Sequence, residues 1–122
     1  DWELTLRHGL DFADVERLLG ADDPGARFYA AISRRTRDWT RGHGRARLMA
    51  ADALAMAVAI DPSIATRIKE CHVAIELDGA LTRGATVVDW DRRSGRAPNA
   101  RIVLELDHAR FEALVAEALG AA

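Results

Sequence analysis

The residue best suited to chemistry in this sequence is Asp52, an acid set in the most apolar stretch of the chain. That stretch runs from Met49 to Pro62 and reads MAADALAMAVAIDP. Apolar residues on every side predict a buried helix, which ends at Asp61 because the following proline cannot continue it. A buried carboxylate is costly unless it is paired, hydrogen-bonded or bound to a metal. The sequence therefore predicts that Asp52 has a partner.

Two kinds of partner would satisfy a carboxylate at this position. In the simpler interpretation, Asp52 accepts hydrogen bonds from free backbone N–H groups in the first helical turn and interacts with the helix dipole. In the second, Asp52 faces a cleft and ligates a hard cation such as Ca2+, which prefers carboxylate oxygens. The stretch taken by itself favours the simpler interpretation.

A second candidate region, residues 40–47, lies just before this helix and reads TRGHGRAR. Its two glycines predict a mobile loop, and His43 between them is expected to be exposed to solvent. A loop at this position could also close over a site as a lid. The arginines upstream have neither a glycine-rich loop nor interleaved aromatic residues, so they indicate a solvated helix face rather than a phosphate site.

Composition limits the class of protein. The 122 residues suffice for one domain with a modest core, and 49% hydrophobic with 30% charged residues is typical of a globular protein. A net charge of -2 gives no reason to expect nucleic acid or an anionic membrane as partner. The longest apolar run is too short to span a bilayer. The single cysteine, Cys71, is compatible with a reducing compartment, and we expect a cytoplasmic protein.

Hydrophobic periodicity divides the first half of the chain into an arm and several helices. Alternation over Asp1–Arg7 predicts a half-buried strand or extended arm. Helices are predicted over Asp11–Leu19 and Ala26–Trp39, upstream of the apolar helix that carries Asp52. The apolar side of the second of these is expected to consist of Phe28, Tyr29, Ile32 and Trp39. Its solvated side is expected to carry Arg27, Arg34, Arg35 and Arg37.

The second half predicts a β-hairpin, a further strand and a final helix, which together indicate an α/β fold. Ser63–Lys69 is expected to form a short turn or helix. The hairpin pairs Cys71–Leu77 with Leu81–Trp90 around an Asp-Gly turn. A polar loop leads to the strand Arg101–Leu106, and Asp107 then caps the last helix. These strands are too few for a large sheet, so we expect them at the edge of one supplied by missing chain.

The order of these motifs resembles one known family. The run ELDGALTRGATVVDW, followed by PNARIVLELDHARFEALV, is similar to the C-terminal end of inosine-uridine preferring nucleoside hydrolases. ADALAMAVAIDPSI resembles the family's buried helix, whose usual form is His-Asp-Pro-Leu-Ala, an apolar run and Asp-Pro. WELTLRHGL resembles an arm found before this helix in some members. The resemblance covers nearly the whole chain, so residues 1–122 are interpreted as a single C-terminal fragment of such a domain.

The resemblance implies an α/β fold with a mixed sheet and a hydrolase activity. In this family, water cleaves the N-glycosidic bond of a purine or pyrimidine ribonucleoside, giving ribose and free base. A calcium ion at the carboxyl ends of sheet strands holds the nucleophilic water and the ribose hydroxyls. Asp52 lies where the family places a calcium-ligating aspartate, so the resemblance favours metal and substrate binding by Asp52 over the simpler interpretation.

The resemblance also implies roles for two residues upstream of Asp52. In the family, a mobile region before the buried helix closes over the base. Trp39 could stack on a nucleobase there, and His43 could protonate the leaving group. The structural alternatives are that Trp39 is a core residue and that His43 is a surface residue without a role in binding. The sequence favours both alternatives over the binding roles. Complete members are commonly homo-oligomers, which leads us to expect the same of the complete protein.

Three departures from the family pattern limit what carries over. Ala51 stands where many members have a histidine, and Ala53 replaces the common proline. The N-terminal cluster of the type Asp-x-Asp-x-x-x-Asp-Asp, which supplies the other calcium carboxylates and the general base, does not occur in this sequence. A calcium site needs about 6–8 oxygens, so one carboxylate cannot form it. We therefore expect this chain to be catalytically silent by itself, with no catalytic residue of its own.

Two alternatives remain. The chain could be a non-catalytic α/β interaction module descended from this family, which binds a partner through an exposed sheet edge. It could also be an unrelated small α/β domain in which Asp52 is a satisfied helix acid. The start of the sequence at Asp1 leads us to expect a fragment of a longer protein. An aspartate cluster upstream would support the enzyme, and a nearby start codon would support the module.

Overall fold

The computed structural model describes residues 2–121 and has the mixed α/β character that the sequence predicts. Helices and short antiparallel sheets alternate along the chain. The helices are α1 Trp2–Arg7, α2 Phe12–Leu19, α3 Pro24–Gly42, α4 Ala51–Ile60 and α5 His108–Ala118, with one 3-10 turn at Pro62–Ile64. The strands are β1 Leu10–Asp11, β2 Arg47–Leu48, β3 Ala65–Ile75, β4 Thr86–Asp89 and β5 Ala100–Leu106.

The first element differs from the prediction. Trp2–Arg7 is a helix and not a strand or extended arm, while Asp1 lies outside the described residues. The backbone N–H of His8 donates to the carbonyl of Leu4 at 3.0 Å, which continues the helical hydrogen-bond pattern. Leu4 joins the hydrophobic core, so packing decides the conformation of a segment whose alternation is too short to specify a strand.

Helices α2 and α3 form where the sequence predicts helices, and local capping explains where they begin. Asp23 Oδ1 accepts hydrogen bonds from the backbone N–H groups of Gly25 at 2.7 Å and Ala26 at 3.2 Å. Pro24 occupies the first helical turn, where its missing N–H costs nothing. Helix α3 continues to Gly42 and so includes the start of the segment predicted to be a loop.

The faces of α3 match the prediction in part: Arg27, Arg34 and Arg35 are exposed as predicted, but Arg37 and most of the predicted apolar side are not where the sequence places them. Phe28, Ile32 and Trp39 are 66%, 59% and 55% exposed, and we call these three residues the α3 apolar face. Arg37, predicted to be solvated, is buried together with small residues of the same helix side. The buried positions of α3 are Ala26, Ser33, Arg37 and Thr40. The core-facing side is therefore the small and polar side, which allows α3 to approach α2 closely.

Helix α4 forms over the predicted stretch, but the expectation that it is buried on all sides is wrong for the described chain. Only Leu54 and Ala57 are buried, whereas Met56 and Ile60 are 60% and 67% exposed. Leu54 and Ala57 lie three residues apart and face the same core. One side of α4 thus packs against α1 and α5, and the described residues do not cover the other side.

The larger sheet has the strand order β4-β3-β5, and all its pairings are antiparallel. Strand β3 is longer than predicted and begins at Ala65, so most of Ser63–Lys69 is strand rather than turn or helix. The hairpin between β3 and β4 is closed by a longer loop than the predicted two-residue turn. Glu76 orders this loop, because its Oε1 accepts hydrogen bonds from the backbone N–H groups of Asp78 at 2.8 Å and Gly79 at 3.0 Å.

The polar loop between β4 and β5 lies where the sequence predicts it and is fixed to the sheet by one side chain. Asn99 Oδ1 accepts from the backbone N–H of Val73 at 2.7 Å, and Asn99 Nδ2 donates to the carbonyl of Val73 at 2.9 Å. This pair of bonds imitates a strand pairing at the start of β5. It gives the Pro-Asn sequence of the loop a structural role.

The hydrophobic core connects the helices to the sheet through β5 and the 3-10 turn. Ile64 and Phe111 are fully buried at its centre. Asp107 starts α5 as predicted, because its Oδ1 accepts from the backbone N–H of Arg110 at 3.0 Å. The smaller ladder β1-β2 ties the start of α2 to the segment before α4. Among the described helices, none has the length and apolarity needed to cross a membrane.

Candidate functional site

Asp52 lies in the first turn of α4 with its side chain exposed to solvent. The expectation that this carboxylate is buried is therefore wrong for the described chain. No hydrogen bond or ion pair joins Asp52 to another residue within 2–121, so the backbone hydrogen bonds of the simpler interpretation are not formed. The N-cap residue is Ala50, whose side chain cannot cap the helix. The start of α4 thus presents a free carboxylate beside unpaired backbone N–H groups.

A cleft of about 430 Å³ lies beside α4. Its lining residues come from α1, α4 and β5, and most are apolar; they are Leu4, Thr5, Ala51, Leu54, Ala55, Val58, Arg101, Ile102, Val103 and Leu106. Ala51 offers only a methyl group to the wall of the cleft. Among residues 2–121, Arg101 is the only charged residue that lines this cleft, and Asp52 does not line it.

Trp39 and His43 form a pair at the end of α3. Their rings stack with centroids 4.1 Å apart and planes inclined by 28°. His43 Nδ1 also lies 2.8 Å from the carbonyl oxygen of Trp39, and because a carbonyl only accepts, Nδ1 carries the proton. His43 is exposed as predicted, whereas the alternative of a core tryptophan is wrong because Trp39 is more than half exposed.

The structure brings Trp39 and His43 together but does not join them to Asp52. Within residues 2–121, the hydrogen bonds, ion pairs and ring contacts of the pair do not reach Asp52. The connection between α3 and α4 is partly fixed, since Arg47 and Leu48 pair with β1. The segment predicted to be a mobile loop is thus shortened from both ends, by the last turn of α3 and by β2.

The described residues do not assemble a calcium site by themselves. No group of three or more His, Cys, Asp or Glu side chains within 2–121 is placed to hold a metal ion. Calcium takes about 6–8 oxygen ligands, and Asp52 offers at most two of them. Its free, solvent-facing carboxylate is nevertheless suited to be one ligand in a site completed by other groups.

One charged cluster was not found from the sequence. Glu16 on α2 accepts hydrogen bonds at Oε1 from Arg37 Nη1 at 2.9 Å and from Arg41 Nη2 at 2.6 Å. The hydrogen bond from Arg41, followed by the charges of both guanidinium groups, lowers the pKa of the Glu16 carboxyl group. Arg37 further donates to Ser33 Oγ at 3.1 Å. The cluster joins α2 to the part of α3 that carries Trp39.

Replacing Arg37 by alanine is expected to lower the free energy of unfolding by about 2 kcal/mol, because it removes the hydrogen bonds of a buried guanidinium group to Glu16, Ser33 and the carbonyl of Ala30 together with the packing of its side chain. The half-exposed Glu16 carboxylate can regain water, which limits the loss. Urea unfolding followed by circular dichroism measures the effect. Arg34→Ala is the matched control, since Arg34 is exposed on the same helix and is expected to change stability by less than about 0.5 kcal/mol. Equal stabilities of the two variants would contradict the role of the cluster.

Comparisons with known proteins point in one direction. The family profile described as inosine-uridine preferring nucleoside hydrolase matches residues 1–113. The non-specific ribonucleoside hydrolase RihC of Shigella boydii serotype 18 is 41% identical over 71 residues, covering 58% of this chain and 23% of that protein. RihC of Escherichia fergusonii is 42% identical over 71 residues, with the same 58% and 23% coverage.

A solved structure agrees with the sequence comparisons. An inosine-guanosine nucleoside hydrolase superposes with a TM-score of 0.86 over 98% of this chain, at 25% sequence identity. The chain covers 37% of that protein. It therefore spans well under half the length of the proteins it matches, and their printed activities describe much longer polypeptides.

Proposed function

Because the chain belongs to the inosine-uridine preferring nucleoside hydrolase family, we propose that it forms the C-terminal part of a calcium-dependent ribonucleoside hydrolase. The complete enzyme would cleave the N-glycosidic bond with water and release ribose and the free base. The observation that supports this proposal is the family match over residues 1–113, nearly the whole chain. The chain by itself is expected to be inactive, since the described residues lack a set of ligands for the metal.

Asp52 is proposed to be the contribution of this chain to the metal and ribose site. The support is chemical: its carboxylate is exposed, has no partner in the described chain and lies at a helix start that is otherwise uncapped. Calcium, when bound, would hold the nucleophilic water and the ribose hydroxyls. The remaining ligands would come from an aspartate cluster of the family type, which this sequence does not contain.

Trp39 and His43 are proposed to contact the nucleobase. The exposed indole offers a flat face for stacking, and the ring of His43 lies against it. The carbonyl of Trp39 accepts the hydrogen bond from His43 Nδ1–H, so Nε2 is the nitrogen that would take up a second proton from solvent and, from the imidazolium form, pass it to a leaving base. Ala51 cannot donate a proton, so His43 is the candidate for that role on this chain.

A hydrolysis assay on the polypeptide isolated from its source tests the proposed function. Release of free base from inosine and uridine would be followed by chromatography, before and after removal of divalent cations with a chelator. We expect hydrolysis that stops on chelation and returns when calcium is restored. Hydrolysis unaffected by chelation would rule out the calcium dependence. A polypeptide with an intact aspartate cluster that releases no base from any ribonucleoside would overturn the enzyme proposal.

A second candidate function is supported by the exposed apolar surfaces. The chain could act as a non-catalytic α/β module that binds a partner protein, since large apolar side chains are exposed on α3, α4 and the hairpin. The intact mass of the native polypeptide distinguishes the two candidates. A mass near that of a complete nucleoside hydrolase supports the enzyme, whereas the mass of this chain alone supports the module.

Two further properties of the complete protein are proposals. We expect a homo-oligomer, as is common in the family, and a cytoplasmic location. The location is compatible with Cys71, which is buried and unpaired and is the single cysteine of the sequence. Light scattering of the complete protein tests the oligomeric state.

A further inference from the structure

Two histidines from opposite ends of the chain meet where α1 joins the start of α5. His8 directly follows α1, and His108 is the first residue of α5. Their Nδ1 atoms lie 3.3 Å apart although the residues are 100 positions apart in sequence. The ring centroids are 5.2 Å apart, and the planes are tilted by 46°. The contact is partly buried, so it is shielded from the solvent that would otherwise separate two such groups.

The contact can form only in certain protonation states. Two facing ring nitrogens form a hydrogen bond when one carries a proton and the other offers its lone pair. His108 Nε2 lies 3.3 Å from Glu112 Oε1, and a carboxylate accepts, so His108 carries a proton on Nε2. A neutral His108 therefore accepts at Nδ1 from the Nδ1–H of His8. One added proton preserves the bond, because one of the two Nδ1 atoms can still offer its lone pair.

A second added proton destroys the contact. With both imidazoles protonated, two N–H groups and two positive charges would face each other at 3.3 Å. Burial, followed by the proximity of His108, lowers the pKa of His8 below its ordinary value. Because the pKa of His8 is lower in the folded protein than in the unfolded chain, neutral His8 contributes to the free energy of unfolding. This contribution is fully present above about pH 6.5 and declines as the pH falls below that value.

The other charged groups around His8 oppose its protonation on balance. Arg7 on α1 and Arg47 on β2 both disfavour a further positive charge, whereas Glu105 on β5 favours it. Glu105 is already shared, since it accepts from Arg7 at 2.8 Å and from Arg67 at 2.9 Å. Those two hydrogen bonds hold the pKa of Glu105 below its ordinary value, so Glu105 stays ionised in mild acid. The Arg7–Glu105 ion pair, which also attaches α1 to β5, is therefore retained.

We propose that the His8–His108 pair is a pH-sensitive latch that tightens the joint between α1 and α5 and loosens it when both rings are protonated. The latch matters for the cleft beside α4, because Leu4 and Thr5 on α1 form one of its walls. Loosening at His8 frees the end of α1 while the Arg7–Glu105 ion pair still tethers it. Mild acidification therefore increases the mobility of that wall without unfolding the core.

Histidine NMR titration and amide hydrogen exchange of the chain between pH 8 and pH 5 test the latch. We expect His8 to take up its proton below the ordinary histidine pKa of about 6.5, because burial and the neighbouring His108 lower its pKa. After correction for the intrinsic pH dependence, exchange of the amides of α1 should rise about tenfold below pH 6 for each unit by which the pKa of His8 is lowered. His8→Phe keeps an aromatic ring at the joint and is expected to remove this pH dependence.

His43→Asn is the matched control, because His43 is exposed at the end of α3, and it should retain the pH response of the unmodified chain. A proton uptake by His8 at or above the ordinary histidine pKa of about 6.5 would overturn the proposal. A rise in the amide exchange of α1 below pH 6 that is as large in His8→Phe as in the unmodified chain would also overturn the proposal. If that variant does not fold, the titration of the unmodified chain still decides, since it requires no substitution.

Discussion

Replacing Asp52 by alanine in the complete polypeptide is expected to abolish ribonucleoside hydrolysis while leaving the fold intact. The exposed carboxylate makes no contact within the described chain, so its removal breaks no structural interaction there. The only structural loss is the favourable position of an acid at a helix start, worth about 0.3–1 kcal/mol. Loss of the proposed metal ligand should lower kcat/KM by a factor on the order of a hundred or more.

Steady-state kinetics and calcium titration calorimetry measure the two expected effects of Asp52→Ala. Asp78→Ala is a suitable control, since Asp78 is an exposed acid in the distant hairpin loop and should leave both turnover and calcium affinity unchanged. Asp52→Asn retains one neutral oxygen and should fall between alanine and the natural residue. Unchanged turnover in Asp52→Ala would eliminate the ligand role. A large loss of thermal stability in that variant would instead assign Asp52 a structural role.

The isolated chain is expected to associate, because several large apolar side chains are exposed together on α3 and α4. The α3 apolar face presents two aromatic rings and an isoleucine, and α4 presents Met56 and Ile60. Sedimentation velocity should give a weight-average mass above 13.3 kDa that increases with concentration. A single monomeric species across the concentration range would contradict this expectation.

Substitutions locate the surface responsible for association. Replacing both Phe28 and Ile32 by glutamate should shift the chain toward monomer, since two charges in the α3 apolar face oppose its burial. Leu81→Glu is the matched control. Leu81 is 99% exposed in the hairpin loop and is not part of the α3 apolar face, so charging it should leave the mass distribution unchanged. Equal effects of the two changes would mean that association is not specific to α3.

The order of elements in the second half of the chain was predictable because its signals are local. Asp107 starts α5 through a hydrogen bond to a backbone group three residues away. The alternating residues of β5 and the polar loop before it likewise occur where the sequence places them. The exposure of His43 followed from its glycine neighbours. Each of these features depends on residues within a few positions of one another, so it can be recognised in the sequence without knowledge of the fold.

The order of motifs along the chain was also sufficient to indicate the family. The Thr-Arg-Gly turn, the Thr-Val-Val-Asp strand and the Pro-Asn loop led to the resemblance, and the profile over residues 1–113 confirms it. The structure adds a reason for one of these motifs, because Asn99 pairs with the backbone of Val73. Which residues bind substrate or metal was inferred from the resemblance and stays a prediction.

Only the tertiary structure decided which sides of the helices are buried. The apolar residues of α3 suggest one core-facing side, yet the buried side contains Arg37, because Glu16 of α2 provides its ionic partner. Helix α4 is apolar all round, but the described chain covers only the side of Leu54 and Ala57. Trp2–Arg7 is a helix because Leu4 packs into the core, although its alternation suggested a strand.

The same distinction applies to the His8–His108 pair, whose members lie 100 positions apart in the sequence. A side chain is buried, paired or exposed according to the free energy of its contacts, and those partners can come from anywhere in the chain. Caps, turns and strand alternation are short-range, so the sequence by itself determined the elements and the family. Burial and charge pairing are long-range, so the fold alone decided which faces are covered and which titratable groups meet.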